Sequence, residues 1–492
     1  MSSSTTFFWH DYESFGIDPA RDRPAQFAGI RTDWQLNPIG EPLMIYCQPG
    51  LDYLPQPAAC MITGIDPALA WQQGVPEAEF IARIEYELKQ PGTCGVGYNS
   101  IRFDDEVTRH TLYRNLRDPY AREWQNGCSR WDILDMVRLV RLMQPDALVW
   151  PEVDGRVSIK LEHLTQTNGV GHDKAHDALS DVEATIALAR LIKTRAPKLF
   201  DYCLSLRDKR EVQGKLDIFR HKPVLHISGM FPTERMNAAV LAPLMSQPGN
   251  ANGIVLFDLS QPAQVLLDTS AEELERLLYT PTDQLPPGQV RPALKTLHIN
   301  RSPVVMGVNK DIADKLALSL ESLQANLTLL RQHTENWKPK LEQIYQRKPA
   351  TELQASDPDL MLYSGGFFSA SDKRLMQSVI DMPAEQLRGY CPPFQDGRLE
   401  EMLFRYRARS FPQHLSEAEK AQWIEFCHER ITDGRAGALT LEAYRSELEA
   451  LLADESLTQE KHLLLRQLQE YGNEVERCLA KAELQPAAFS RR

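Results

Sequence analysis

The 492-residue sequence lacks several features that mark special classes of protein. It has no run of about 18 or more apolar residues, so we expect no transmembrane helix. The first residues, MSSSTTFFWHDYE, contain no basic segment and only a very short apolar patch, unlike a secretory signal. The sequence also has no internal repeats and no low-complexity tracts. These absences predict a cytoplasmic, globular protein that does not associate with membranes.

The eight cysteines are scattered along the chain, and none of them forms a Cys-x-x-Cys pair. In so long a chain without a secretory signal, free thiols are favoured over a disulfide framework or a zinc site. The sequence therefore predicts that the cysteines are reduced.

The charge is negative overall and unevenly distributed. The net charge of −12 argues against a protein that coats nucleic acid by bulk charge, but it allows a local basic groove. The net charge is −8 over residues 1–196, +3 over 197–350 and −7 over 351–492. A net-basic middle third can indicate contact with a polyanion, although ordinary variation among domains gives similar values.

A chain of this length is expected to form about three domains. Strand and helix signals alternate over residues 1–196, which predicts an α/β layer fold. Residues 197–350 contain short β-rich runs with helical insertions, and residues 351–492 are mainly helical with a short tail. A helix that ends at proline near Thr194–Leu199 and a polar connector over Pro349–Pro358 set the two boundaries.

The first candidate motif is a pair of carboxylates at the end of an apolar strand. In the segment FFWHDYE, Asp11 and Glu13 are two residues apart, so their side chains point to the same side of a strand. Two such carboxylates repel each other unless they are protonated or bridged by cations. Their oxygen atoms favour magnesium or manganese, although Asp-x-Glu pairs also occur at solvated strand ends.

Two further motifs supply more carboxylates and a histidine. The segment GYNSIRFDDE places Asp104 where a strand and a turn lead into a helix, a position that also suits a helix N-cap. The segment HDALSD opens an apolar helix, with Asp181 in its first turns and His176 in the preceding loop. A histidine there can act as a general base, but it can also be a capping or surface residue.

Together the three motifs are more specific than any one of them. Two divalent cations need several carboxylates around one cavity. A neutral imidazole nearby can accept a proton from an attacking water molecule. Each motif ends a strand or begins a helix, so the side chains can converge at one edge of a sheet. The sequence therefore predicts a two-metal site that cleaves phosphodiester bonds.

On these motifs the sequence resembles the DEDDh 3′→5′ exonuclease superfamily and, within it, the bacterial exodeoxyribonuclease I family. The resemblance extends over nearly the whole chain. The segments that carry it are HDYESFGIDPARDRPAQFAGIRTD, YLPQPAACMITGI, GYNSIRFDDEVTRH, SRWDILDMVR, LEHLTQTNGV, AHDALSDVEATIALARLIKTR, LFDY, SGMF, GFFS and RYRARSFP.

The resemblance implies an α/β ribonuclease-H-like nuclease domain, a Src-homology-3-like β-rich domain and a helical C-terminal domain. It implies that Asp11, Glu13 and Asp181 bind two Mg²⁺ ions, with Mn²⁺ as an alternative, and that Asp104 completes the acidic cluster. His176 is then the general base, and Glu13 also lies near the terminal 3′-hydroxyl. The implied activity is hydrolysis of single-stranded DNA from its 3′ end to 5′-mononucleotides, in DNA repair and recombination.

Arginines alternate with aromatic residues between Arg102 and Arg138, a composition that suits unstacked nucleotides. Some of these residues are also expected in the core or at an unrelated surface. By family resemblance, four of them are predicted to contact DNA: Arg109, Tyr120, Trp124 and Arg138. Lys160 is predicted to bind substrate as well, although the family has an arginine there and lysine lacks the bidentate fork.

The resemblance also implies a protein partner and an oligomeric state. The partner is the single-stranded-DNA-binding protein, whose acidic C-terminal tail is expected to dock on a basic pocket that includes Tyr202 and Lys222. Ordinary interdomain contacts by these two residues are the alternative. The protein is expected to act as a monomer.

Two other functions remain open from the sequence alone. The same metal site serves RNA exonucleases, although the roughly 300 residues after the nuclease domain favour an enzyme that encloses a long DNA strand. A DNA-bound scaffold with idle nuclease residues is the second alternative, and the presence of all four acids argues against it.

Overall fold

The computed structural model describes residues 5–171, 177–346, 357–486 and 489. Strands occur in the first two thirds of the chain, and helices dominate the last third. No helix in this described part is long and apolar enough to cross a membrane. The strands are β1 (Thr6–Ser14), β2 (Pro24–Thr32), β3 (Leu43–Tyr46), β4 (Thr93–Gly97), β5 (Ser129–Asp132), β6 (Glu152–Val153), β7 (Arg156–Val157), β8 (Val224–Ile227), β9 (Ala238–Ser246), β10 (Gly253–Asp258), β11 (Leu294–His298) and β12 (Val304–Gly307). The α-helices are α1 (Pro57–Thr63), α2 (Pro67–Gln73), α3 (Glu77–Leu88), α4 (Asp104–Arg114), α5 (Leu134–Met143), α6 (Leu161–Thr167), α7 (Ala178–Arg195), α8 (Pro197–Ser205), α9 (Lys209–Lys215), α10 (Gln264–Asp268), α11 (Ala271–Tyr279), α12 (Lys310–Lys315), α13 (Leu320–Gln332), α14 (Thr334–Gln346), α15 (Ala370–Asp381), α16 (Arg398–Ser410), α17 (Glu417–Asp433), α18 (Leu441–Leu452) and α19 (Gln459–Ala480).

The chain divides into two compact units. The first comprises Met1–Ser129, Gly171–Ile186 and Glu352–Arg492, and the second comprises Arg130–Val170 and Ala187–Thr351. The first unit therefore contains segments from both ends of the chain. The domain boundaries at residues 196 and 350 stay predictions.

Strand β1 lies at the centre of the first sheet. It pairs antiparallel with β2 and parallel with β4, and β2 pairs antiparallel with β3. Within the first unit the strand order is β3-β2-β1-β4. Asp11 and Glu13 lie on the same face of β1 because alternate side chains of a strand point the same way. The register places Ala28 of β2 opposite Asp11 and Gln26 opposite Glu13.

The apolar residues of β1 explain why this strand is central. Phe8 and Tyr12 pack with Phe27 of β2 and with Phe80 and Ile84 of α3 in one buried cluster. The acids occupy alternate positions to Phe8 and Tyr12, so they point to the opposite face of the sheet. The hydrophobic face of β1 thus holds the strand in place while its other face presents the carboxylates.

The second unit contains an antiparallel sheet of five strands in the order β11-β10-β9-β8-β12. The sequence predicts β-rich runs over Pro223–Ser228, Gly253–Asp258 and Lys295–Asn300, which match β8, β10 and β11, but it does not indicate β9 or β12. Nearly every residue of β9 is buried, so its sequence shows no alternation of apolar and polar residues. β9 also contains Pro243, which lies beside a register shift of its pairing with β10.

A shared hydrophobic core joins the N-terminal and C-terminal segments of the first unit. Phe15, Tyr53 and Leu54 belong to the same buried cluster as Trp423 and Tyr471 of the C-terminal helices. The Trp71 indole N–H also donates to the Tyr471 hydroxyl at 3.4 Å. The C-terminal helices are therefore part of the fold that carries β1.

Buried ion pairs connect the same segments. Asp52 is completely buried and pairs with Arg23 at 3.3 Å and with Arg409 at 2.9 Å. Arg409 also pairs with Asp359 at 2.6 Å. Burial alone would raise the pKa of Asp52, but the guanidinium groups of Arg409, Arg23 and Arg430 hold it well below its usual value. Asp52 is thus charged in the folded protein.

Candidate active site

Three carboxylates from two distant parts of the sequence converge in the first unit. One carboxylate oxygen from each of Asp11, Glu13 and Asp181 lies within 4.8 Å of the other two. Asp11 and Glu13 come from the second half of β1, and Asp181 comes from the first turn of α7. The positive end of the helix dipole at the start of α7 favours a carboxylate in this turn.

Asp104 is the fourth acid of the site and the first residue of α4. It is buried, and its Oδ1 accepts a hydrogen bond from the backbone N–H of Tyr12 at 3.1 Å. Tyr12 lies between Asp11 and Glu13 in β1, so this bond ties the start of α4 to the strand that carries both acids. The hydroxyl of Thr108 also bonds to the Tyr12 hydroxyl at 3.0 Å, which adds a second link between α4 and β1.

The acids raise each other's pKa values. Burial, followed by the charges of Asp104, Glu13 and Asp181, holds the pKa of Asp11 well above its usual range. Burial, followed by the charges of Asp181 and Asp177, raises the pKa of Glu13 to about 8. Bound cations would relieve this repulsion, and an all-oxygen donor set is the type that Mg²⁺ and Mn²⁺ prefer. The residues present therefore fit a centre for hard divalent cations.

The predicted general base, His176, lies outside the described residues. The next residue, Asp177, is described, and its carbonyl accepts a hydrogen bond from the N–H of Asp181 at 3.0 Å. The role of His176 thus stays a prediction that rests on the sequence motif.

Sequence reasoning missed two groups of residues around the acids. Gln26 is buried beside Glu13 and bonds to the start of α7. Asp105, the residue after Asp104, forms a buried ion pair with Arg122 at an N–O distance of 2.6 Å. Gln26 could have been noticed because it is the one polar residue in the apolar run from Pro24 to Ile30 of β2. The Asp105 carboxyl gives no such signal, since a helix start commonly carries acids.

The first unit holds three of the predicted DNA contacts. The Trp124 side chain is 66% exposed, and Tyr120 is half-buried with its ring 6.0 Å from that of Phe367, which is itself 84% exposed. Arg109 is buried and its guanidinium binds both carboxylate oxygens of Glu123, at 2.7 and 2.8 Å. Arg109 is thus engaged within the protein, and the contact of all three residues with DNA stays a prediction.

The second unit holds the other two predicted contacts. Arg138 pairs with Asp135 at 2.5 Å, and its guanidinium lies against Gly229 so closely that a Cβ there would stand 2.6 Å from an Arg138 nitrogen. Lys160 is largely exposed, with a 3.9 Å contact to Glu162. The contact of either residue with DNA stays a prediction.

The predicted partner residues also lie in the second unit. Tyr202 is half-buried, and its hydroxyl donates to the carbonyl of Val305 at 2.7 Å. The ammonium of Lys215 lies 5.6 Å from the centre of the Tyr202 ring. Lys222 is exposed at the end of a turn whose Phe219 is 91% exposed. These residues supply cations and an aromatic ring, and their role in partner binding stays a prediction.

Three family models match consecutive parts of the chain. The exonuclease model matches residues 8–189, the model of the exonuclease I SH3-like domain matches residues 207–347, and the model of the exonuclease I C-terminal domain matches residues 356–475. These matches confirm the predicted fold class, namely a ribonuclease-H-like nuclease domain, an SH3-like domain and a helical C-terminal domain.

Proteins of known identity match over nearly the full chain. Exodeoxyribonuclease I from Escherichia coli strain K12 is 42% identical over 475 residues, which cover 96% of this chain and 98% of that protein. The Haemophilus influenzae exodeoxyribonuclease I is 41% identical and covers 96% of this chain and 99% of its own length.

Solved structures match equally well. E. coli exonuclease I in complex with a dA16 oligonucleotide has a TM-score of 0.91 and 42% identity, over 96% of this chain and 100% of that one. The moderately thermophilic exonuclease I from Methylocaldum szegediense has a TM-score of 0.90 and 45% identity, over 96% and 99%. Sequence, fold and the acidic cluster agree, and the chain belongs to the exodeoxyribonuclease I family of exonucleases.

Proposed function

We propose that the chain hydrolyses single-stranded DNA from its 3′ end and releases 5′-mononucleotides, with two Mg²⁺ ions bound by Asp11, Glu13 and Asp181. We place this activity in DNA repair and recombination, carried out in the cytoplasm by a monomer. The observation that carries the proposal is the convergence of these three carboxylates in a chain of this exonuclease family.

Divalent cations are supported by the chemistry of the donor set. The site offers carboxylate oxygens whose mutual repulsion a cation relieves. Two divalent cations, when bound, would neutralise charge on the attacked phosphate and activate a water molecule. Asp11, Glu13 and Asp181 would hold these ions, Asp104 would complete the set through water, and Mn²⁺ is the alternative metal. A relative from E. coli is known in a zinc-bound form of its complex with single-stranded DNA.

The chain's own groups then orient the substrate and move one proton. Glu13 is proposed to accept a hydrogen bond from the terminal 3′-hydroxyl, which selects a free 3′ end. His176 is proposed to take the proton of the attacking water through a ring nitrogen, a role for which a neutral imidazole near pH 7 is suited. The Tyr12 N–H holds the Asp104 carboxylate in one orientation while this occurs.

Single-stranded DNA is supported as the substrate by exposed aromatic rings. Trp124, Tyr120 and Phe367 lie at the surface of the first unit. Base–aromatic stacking contributes about 1–3 kcal/mol per base and tolerates any sequence. The E. coli relative binds a dA16 oligonucleotide, which fits the same type of contact. Arg138 and Lys160 in the second unit are proposed to bind phosphates.

The variant Asp181→Ala tests the metal assignment. We expect hydrolysis of a labelled single strand to fall by at least about 10³-fold, because one of three metal ligands is lost. Binding of the strand, measured by fluorescence anisotropy in EDTA, should change less than twofold. Turnover at the wild-type rate would refute the assignment.

A time course on a duplex with a single-stranded 3′ tail tests the substrate and direction. With Mg²⁺ we expect removal of the tail from its 3′ end and release of mononucleotides. An RNA tail of the same sequence serves as the comparison, and faster cleavage of RNA would favour the RNA exonuclease. Binding without cleavage after Mg²⁺ is added would favour the DNA-bound scaffold.

We also propose that the acidic C-terminal tail of the single-stranded-DNA-binding protein docks near Lys222 and Tyr202. The cations of Lys215 and Lys222 and the exposed ring of Phe219 match an acidic peptide with an apolar tip. The variant Lys222→Glu should weaken binding of a tail peptide at least about tenfold, as measured by fluorescence anisotropy. Unchanged peptide affinity would contradict this site, and cleavage of free oligonucleotides should stay at the wild-type rate.

A further inference from the structure

Gln26 occupies a central place beside the acids, although no chemical role is assigned to it above. In the register of the sheet it lies opposite Glu13 of β1 on one side and opposite Tyr46 of β3 on the other. Paired residues on neighbouring antiparallel strands place their side chains on the same face, about 5 Å apart. Gln26 is only 2% exposed, so its amide group must find partners within the protein.

The partners of the Gln26 amide lie at the start of α7. Its Oε1 accepts a hydrogen bond from the N–H of Ala178 at 3.3 Å, and its Nε2 donates to Oδ1 of Asp177 at 3.5 Å. The N–H of Ala178 belongs to the first turn of α7, where helix N–H groups have no partner within the helix. Gln26 of β2 therefore supplies a hydrogen-bond acceptor for a backbone N–H group at the start of α7.

The helix turn held by Gln26 is the one that carries a metal ligand of the proposed site. The N–H of Asp181 donates to the carbonyl of Asp177 at 3.0 Å, so the two residues belong to one rigid turn. One end of this turn is bonded to Gln26, and the other presents its carboxylate to Glu13 and Asp11. A shift of the turn would change the distances among the three carboxylates.

We propose that Gln26 is a positioning residue that fixes Asp181 against Glu13 and Asp11, and thereby sets the affinity of the site for divalent cations. This inference rests on the proposed metal site, because it concerns the same carboxylates. Groups that orient metal ligands typically change metal affinity or activity by about 10–100-fold when they are removed.

The test compares Gln26→Met with a matched control, Gln48→Met. Methionine keeps the length of the side chain but removes both hydrogen-bonding groups. The Gln48 Nε2 donates to the carbonyls of Trp71 at 2.9 Å and Gly74 at 3.2 Å, so this control also loses two hydrogen bonds within the first unit. The measurements are Mn²⁺ binding by electron paramagnetic resonance without DNA, kcat and KM on a single strand, and the melting temperature in EDTA.

For Gln26→Met we expect Mn²⁺ affinity to fall about 10–100-fold. At a fixed low Mn²⁺ concentration kcat should fall to a similar extent, with KM for DNA within twofold of wild type. Raising the Mn²⁺ concentration should restore most of kcat, which a general loss of folding would not allow. Gln48→Met should lower the melting temperature by a comparable amount while Mn²⁺ affinity and kcat stay at wild-type values.

The outcomes separate this inference from the proposed function. If folded Gln26→Met binds Mn²⁺ as tightly as the wild type, the inference is overturned. The proposed function would still stand if the wild-type protein is active only with metal and Asp181→Ala is inactive. A wild-type protein that binds no Mn²⁺ would overturn the proposed function itself. If Gln26→Met does not fold, Gln26→Asn replaces it. Asparagine keeps an amide but is one methylene shorter, and wild-type Mn²⁺ affinity in that variant would equally overturn the inference.

Discussion

At the scale of single residues, burial and neighbouring negative charges act together to disfavour the charged form of Glu13. Burial and the charges of Asp181 and Asp177 raise its pKa to about 8, against about 4.3 in an unfolded chain. Between these two pH values the folded protein retains a proton that the unfolded chain releases. The stability that this proton contributes is fully present below about pH 4.3 and is lost as the pH rises toward 8.

This leads to a prediction for Glu13→Gln, which cannot ionise. In EDTA at pH 8 the variant should melt several degrees above the wild type, since about 1 kcal/mol corresponds to a few degrees in a domain of this size. The difference should shrink as the pH is lowered toward 5, and saturating Mg²⁺ should reverse its sign. Thermal unfolding followed by circular dichroism measures it. A variant that is less stable than wild type in EDTA at pH 8 would contradict the prediction.

At the scale of elements, the start of α4 depends on a buried ion pair. Arg122 and Asp105 are both almost fully buried, and their N–O distance is 2.6 Å. His10 lies beside them, and burial lowers its pKa to about 4, so it is neutral at pH 7. The charge of Asp105 is therefore balanced chiefly by Arg122. Because Asp104 directly precedes Asp105, the pair also fixes one of the four acids.

We predict that Arg122→Met destabilises the protein by about 3–5 kcal/mol, because it leaves a buried carboxylate without its partner. Adding Asp105→Asn to this variant should recover part of the loss, since it removes the uncompensated charge. Denaturation in urea at pH 7 measures both changes. A double variant as unstable as the single one would show that the charge of Asp105 is not the cause.

The sequence predicts those elements best whose local pattern agrees with their environment. The sequence predicts helices over Glu77–Lys89 and Ala271–Leu278, and α3 and α11, each with one apolar stripe, lie there. β9 is buried on both faces, and its run AAVLAPLMS shows no period that distinguishes a strand from a helix. The sequence gives no clear signal for α14, because Pro339 lies inside it, where proline usually ends a helix. In both cases packing outweighs the local signal.

In the candidate site, too, the residues with a local sequence motif could be predicted, and those whose contacts depend on the tertiary structure could not. Asp11, Glu13 and Asp181 could be named from the sequence because each belongs to a motif of characteristic spacing. The pairing of the Arg109 guanidinium with Glu123, 14 positions away, could not be foreseen from the sequence, and the contact of Arg109 with DNA stays a prediction. Gln26 could not be assigned because its role arises from the register of β1 with β2, which no local pattern specifies.

At the scale of the whole molecule, buried ion pairs connect the N-terminal and C-terminal segments of the chain. Asp52 near the N-terminus is paired with Arg409 of the C-terminal segment, and the Arg430 Nε donates to the carbonyl of Asp52 at 3.2 Å. The pKa of Asp52 is depressed in the folded protein, so its contribution to stability is present above its unfolded pKa of about 3.9. That contribution is lost as the pH falls below this value.

We predict that Asp52→Asn lowers the free energy of unfolding by about 3–5 kcal/mol at pH 7, because buried guanidinium groups lose a partner. The difference from wild type should stay constant above about pH 5 and shrink below pH 4. The exposed Glu41→Gln serves as the control and should change stability by less than about 0.5 kcal/mol. Urea denaturation across this pH range decides, and a loss that grows on acidification would contradict the prediction.

The first unit is built from segments near both ends of the chain, and this has a consequence for synthesis on the ribosome. At about 5–20 residues per second, translation of 492 residues takes about 25–100 s. Met1–Ser129 emerges first, but Glu352–Arg492, which supplies Arg409 and Arg430, emerges last. Until this last segment has been made, Asp52 lacks these partners and the strand with the acids lacks its C-terminal helices. The first unit can therefore reach its native state only after Glu352–Arg492 has been synthesised.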